Sequence, residues 1–237
     1  MKRPLRKSIA LSKTGNYRAL TDAAQTTHIL FIGGLGCHSD QARFVAKVLS
    51  DHYGQRVVGV SFSEAQKNLT DIARLSRDCI VITHGSGLVL CEDLTPKELI
   101  AIAPSLPATI PIMVWRCALK SAALTRSAGV SALRAYKIRA YHRSAVKEHI
   151  IRLRYNSGQM GRIATFDPAK LAVKMIHRRV RVTLGFMSRD FLYPRSAHHV
   201  HVDMARRHGA EVHDDIKGHH DEFMLYPLDI LAQLNRF

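Results

Sequence analysis

The chain lacks any apolar run near the roughly 20 residues that a membrane-crossing helix needs. Cysteine is scarce: Cys37, Cys79, Cys91 and Cys117 are scattered, with no C-x-x-C or zinc-finger spacing. That argues against a disulfide framework and against structural zinc. Reduced, mostly buried thiols in a cytoplasmic protein are the expectation. The basic start holds only the apolar patch Ile9-Ala10-Leu11, too short for the core of a secretory signal. No sequence repeat recurs at a fixed period, and no RNA- or DNA-binding motif is present.

Acidic residues are missing from two stretches. Residues 1–18 carry Lys2, Arg3, Arg6, Lys7, Lys13 and Arg18 and no acid, a charge of +6. Residues 116–181 carry 16 Lys and Arg against Glu148 and Asp167, a charge of +14. Together these two segments carry +20 against a net +16, so the rest of the chain sums to −4. Two readings of the block 116–181 stand side by side: a surface for an anionic partner, or a solvated helical face.

What is present is a full core. At 237 residues and 46% hydrophobic content the chain suits one α/β domain with an inserted subdomain. The short β-branched run at 79–82 predicts a buried strand, and further strands are predicted at 28–32, 56–62, 99–103, 180–186 and 210–216. Helical spacing predicts helices over 40–52, 64–75, 87–93, 197–208 and 228–237. Strands alternating with helices indicate a mostly parallel sheet. Residues 108–179 break the rhythm: they are rich in Ala, Leu, Lys and Arg, with a rough helical stripe over 130–155. They read as a basic helical insertion. Asp167-Pro168 marks a helix start inside it. Residues 1–27 read as a basic arm.

Loops at the carboxyl edge of a parallel sheet are where such folds place their ligands. Three carry chemistry. The stretch Thr83-His84-Gly85-Ser86-Gly87 follows a buried strand and precedes apolar Leu88, Val89 and Leu90. It would turn tightly and present one side chain. The second loop brings Asp190, the third His219 or His220. His220 is favoured because two residues separate it from the strand-ending Lys217. The order Ser…Asp…His is that of a nucleophile, an orienting acid and a base. The cluster His198-His199-Val200-His201 has no matching carboxylate or Cys spacing and reads as a surface helix. No metal and no cofactor are expected.

These features together resemble the α/β-hydrolase superfamily from about residue 28 to the C-terminus. FIGGLG (31–36) is similar to its oxyanion loop, and ELIAIAPSLP (98–107) to the strand after the nucleophile helix. RDFLYP (189–194) is similar to its acid loop and KGHHDEF (217–223) to its histidine loop. The block 108–179 stands where these enzymes insert a cap. The resemblance implies a core of 28–107 and 180–237, a mostly parallel sheet flanked by helices, and the catalytic set Ser86, Asp190 and His220. It also implies a binding and oxyanion site at Gly34, the Leu35 backbone N–H and Gly85. The implied activity is hydrolysis of a small ester, thioester or amide. One departure matters. The family's small-x-nucleophile-x-small frame puts Gly85 at the apex, and a frame with Ser86 at the apex puts His84 and Leu88 on its flanks. Two functions therefore stay open: a serine hydrolase of a small acyl substrate, and a catalytically silent binding protein whose basic cap meets an anionic partner.

Overall fold

The computed structural model describes residues 28–107, 157–190, 193 and 195–234. The expected arm 1–27, the stripe at 130–155 with the rest of 108–156, and residues 235–237 lie outside the described residues.

Six strands form one sheet: β1 (Ile29–Ile32), β2 (Val57–Val60), β3 (Ile80–His84), β4 (Glu98–Ile102), β5 (Arg181–Met187) and β6 (Glu211–Ile216). Their spatial order is β2-β1-β3-β4-β5-β6, and every neighbouring pair is parallel. The chain runs outward from β1 to β2, then returns past β1 to β3 and continues to β6. The carboxyl ends of β1 and β3 thus flank the point where the direction of winding reverses, which opens a crevice between their loops.

The inner strands β1, β3 and β4 are buried almost throughout because both faces are covered, whereas the edge strand β6 is half exposed. Leu30, Ile32, Val81, Leu99 and Ala101 face one layer, which holds α2 (Phe62–Lys67), α3 (Leu69–Ser76), α5 (Pro168–His177) and α6 (Arg195–Arg207). Ile29, Phe31, Ile82, Ile100 and Ile102 face the other, with α1 (Ser39–Tyr53) and α7 (Pro227–Leu231). Helix α4 (Ser157–Thr165) completes the described helices. Leu171, Ala172 and Met175 of α5 are buried in the same cluster as β5. The end of the block 108–179 is therefore part of a sheet-covering layer, and Asp167 caps α5 by accepting from the N–H groups of Ala169 and Lys170.

The single helix expected over 64–75 is two. Asn68 separates α2 from α3 because its side-chain amide donates to the Glu64 carbonyl at 2.7 Å. That carbonyl would otherwise take the Asn68 backbone N–H, which instead reaches Ala65. The last predicted helix is shorter than expected, ending in a 3₁₀ turn over Ala232–Leu234.

Gly59 lets α1 lie against β2. A Cβ there would stand 2.2 Å from the Ala42 carbonyl oxygen and 2.8 Å from the Ala46 Cβ. Gly59→Ala is expected to destabilise the fold by roughly 1–3 kcal/mol, read as a lower urea midpoint at unchanged slope. An unchanged midpoint would contradict this packing. Cys37, Cys79 and Cys91 are buried thiols. Burial, and to a lesser degree the Asp78 carboxylate, pushes the Cys79 thiol up to about 11, and burial raises Cys91 further. At about pH 8 these two should react with Ellman's reagent at least about tenfold more slowly in the native state than in urea, because thiolate is the reactive form. Equal rates would show that they are accessible.

Candidate active site at the strand switch

The site begins where β3 ends. His84 is still extended, with φ −123° and ψ 134°, and the 3₁₀ turn Gly85–Cys91 follows at once. Gly85 makes the corner at φ +56°, a left-handed conformation that costs an L-residue about 1–2 kcal/mol. Gly87 is demanded by the neighbouring strand: a Cβ there would stand 2.6 Å from the Ile32 carbonyl oxygen. Gly34 is demanded in turn, since its Cβ would stand 2.8 Å from the His84 carbonyl oxygen and 3.2 Å from the Ser86 nitrogen. Glycines thus bring the loops after β1 and β3 into backbone contact.

Residue 85 is the apex of this turn. A Cβ built on Gly85 would lie 3.3 Å from His220 Nε2. Thr83 and Gly87 are its flanks, and Thr83 is fully buried. Ser86 lies one residue further on, in the 3₁₀ turn. Its Oγ accepts a hydrogen bond from the Leu35 backbone N–H at 2.7 Å. Among the described residues, no hydrogen bond joins Ser86 to His220. The residues Gly34, Leu35, Gly85 and Ser86 therefore gather at the crevice, but Ser86 faces the β1 loop.

Asp190 and His220 meet. His220 Nδ1 and Asp190 Oδ2 are 2.7 Å apart, and a carboxylate oxygen accepts, so Nδ1 carries the hydrogen. Nε2 is then the nitrogen turned toward Gly85. The other Asp190 oxygen accepts from the Tyr193 N–H at 3.1 Å. Both residues are buried, each 6% exposed. The two loops are laced together: Ser188 N–H donates to Ile216 O and Arg189 N–H to Gly218 O. His219 goes elsewhere, its Nδ1–H donating to the Arg189 carbonyl at 3.2 Å. The choice between the adjacent histidines is made by which ring reaches the acid.

Two contributors were not legible beforehand. His84 Nε2–H donates to the His220 carbonyl at 2.7 Å, and its ring stacks on Phe223 with centroids 6.1 Å apart. It ties the histidine loop to the end of β3. Its only sequence signal is its place just before the apex. Tyr193 caps Asp190 through its backbone and sets its ring 5.9 Å from that of His220. Among the described residues, one group has the spacing to hold a metal ion: His84, His220 and Asp221 each offer a ligand atom within 4.8 Å of the others. The 198–201 cluster does lie on a helix, α6. His198, however, is buried edge-on against Phe186 at 4.8 Å rather than at the surface, and His201 pairs with Asp167 at 2.9 Å.

No protein-family model and no curated protein sequence matches the chain. Solved structures do. An N-formylmaleamic acid deformylase from Pseudomonas putida S16 superposes with a TM-score of 0.56 at 12% identity, covering 89% of this chain and 92% of that one. A thermophilic esterase from Thermogutta terrifontis gives 0.55 at 12%, covering 88% of each chain. The thioesterase domain from the curacin biosynthetic pathway gives 0.51 at 16%, covering 89% and 91%. The parallel sheet, its strand order and these likenesses agree: this chain has the α/β-hydrolase fold.

Proposed function

We propose that the protein binds a small acyl compound, an ester, thioester or amide, in the crevice between β1 and β3 and does not act as a serine hydrolase. One observation carries this reading. The residue whose side chain would face His220 Nε2 is Gly85, with φ +56°, and glycine has no nucleophile to offer. Ser86 supports it, because its Oγ is engaged by the Leu35 N–H that would otherwise be a donor to an oxyanion. The acyl class is supported by the chemistry named for the structural neighbours, a deformylase, an esterase and a thioesterase.

The rival reading is hydrolysis through Ser86, and the 2.7 Å Asp190–His220 bond favours it. Ser86 would attack the acyl carbon, His220 would take its proton, Asp190 would orient the ring, and backbone N–H groups would hold the oxyanion. Ser86 would first have to leave the Leu35 N–H.

We further propose that the basic block 116–181 meets an anionic partner. Arg162, Lys170, Arg178, Arg179 and Arg181 are exposed in its described part, though Glu92 and Glu98 engage several of these cations.

A fluorophosphonate probe separates the first two readings. The wild type is expected to form no adduct. Gly85→Ser should gain one, because its side chain would start 3.3 Å from Nε2. Adding His220→Ala should abolish that gain. An adduct on the wild type that vanishes in Ser86→Ala would establish the serine hydrolase instead. For the basic block, retention on a heparin column should fall steeply with added salt; salt-independent or absent retention would reject an anionic partner.

A further inference from the structure

We infer that the site hydrolyses small activated esters and thioesters by direct attack of water, with His220 as general base and the Ser86 hydroxyl as hydrogen-bond donor to the carbonyl oxygen. This rests on the reading that no acyl-enzyme forms.

The base is assembled. Asp190 holds the Nδ1 hydrogen of His220 at 2.7 Å, which leaves the lone pair of the neutral ring on Nε2. His220 is 6% exposed, and among the described residues its ring is bonded through Nδ1 and not through Nε2. It points at the place where a residue-85 side chain would begin. The backbone of its own turn and its chain neighbours aside, the described heavy atoms within 4 Å of that point are Nε2 at 3.3 Å and Cε1 at 3.9 Å, both of the same ring. A water oxygen is no larger than the serine hydroxymethyl that Gly85 lacks. A buried imidazole lone pair, backed by a carboxylate and aimed at a water-sized space, is the arrangement of general-base catalysis.

The donor is assembled as well. Ser86 Oγ accepts from the Leu35 N–H at 2.7 Å, so its own hydrogen is left to donate. A hydroxyl that already accepts a hydrogen bond is a better donor, because the two bonds polarise each other. Ser86 Oγ lies 3.4 Å from the Cβ position of Gly34, on the β1 side of the crevice. Nε2 lies at the apex. A carbonyl group laid between them meets the base's water at carbon and the hydroxyl at oxygen.

The step balances. Nε2 takes a proton from water while the water oxygen bonds to the acyl carbon, and the carbonyl electron pair moves onto oxygen, held by the Ser86 O–H. The tetrahedral adduct collapses, the C–O or C–S bond to the leaving group breaks, and the proton on Nε2 passes to the departing alkoxide or thiolate. The products are an acid and an alcohol or thiol, and the ring is neutral again. Esters and thioesters are preferred to amides because their leaving groups depend less on that returned proton.

The test uses the full-length protein and p-nitrophenyl acetate. Wild type should release p-nitrophenolate linearly from the first turnover, with no burst. His220→Ala and His220→Gln should each lower kcat by about 100-fold or more. Ser86→Ala should lower kcat by roughly 100-fold with KM little changed. Gly85→Ser should convert the time course to a burst of one equivalent. Circular dichroism melts check that each variant is folded. Wild-type turnover no faster than that of His220→Ala overturns the inference while leaving the binding reading intact. Full kcat in Ser86→Ala overturns the donor role. A wild-type burst lost in Ser86→Ala overturns the reading on which both rest.

Discussion

The approach of the loop after β3 to the loop after β1 constrains everything else at this site. Gly87 must pass the Ile32 carbonyl, and Gly34 the His84 carbonyl, at distances a Cβ essentially never adopts. Once that contact is made, the chain leaving β3 has one way to turn. Residue 85 stands at the left-handed corner, and residue 86 is delivered to the Leu35 N–H. The identity of the apex residue is therefore a consequence of backbone packing. It does not depend on which nearby side chain is chemically suited to attack a carbonyl.

The opposite wall is built by hydrogen bonds. The acid and histidine loops follow β5 and β6, and backbone bonds from Ser188 and Arg189 hold them side by side. Asp190 and His220 are then close enough to pair in a nearly dry setting, where a hydrogen-bonded charge is worth much more than in water. His84 links this wall to the first by donating to the His220 carbonyl. The Asp190–His220 pair thus faces a glycine across the crevice. The crevice presents an imidazole and a hydrogen-bonded hydroxyl, with a glycine where the turn would set a side chain against Nε2.

Much of this was legible as pattern. Continuous β-branched runs meant strands covered on both faces, and the sheet's two buried layers bear that out. The corner at Thr83-His84-Gly85-Ser86-Gly87 was legible because small residues on both flanks are a local steric requirement. Other features were not. The break at Asn68 depends on a side chain competing for one carbonyl, and helical periodicity is blind to it. His198 looked like part of a polar surface cluster, yet α6 turns it onto Phe186. The layer role of α5 was hidden because Leu171, Ala172 and Met175 suit an inserted subdomain as well as a sheet face.

By itself the sequence determined the parallel α/β core, the turn at residues 83–87 and the roster Asp190, His219, His220 and Ser86. These follow from local rules: periodicity, glycine's conformational freedom and the order of loops along the chain. Long-range packing settles which histidine meets Asp190, that Ser86 faces Leu35, and that Gly85 faces Nε2. Each of those is a contact between residues 30 or more positions apart, or a direction set by the packing of two loops. Neighbouring residues in a tight turn point different ways, so a list of reactive side chains cannot say which of them faces the base.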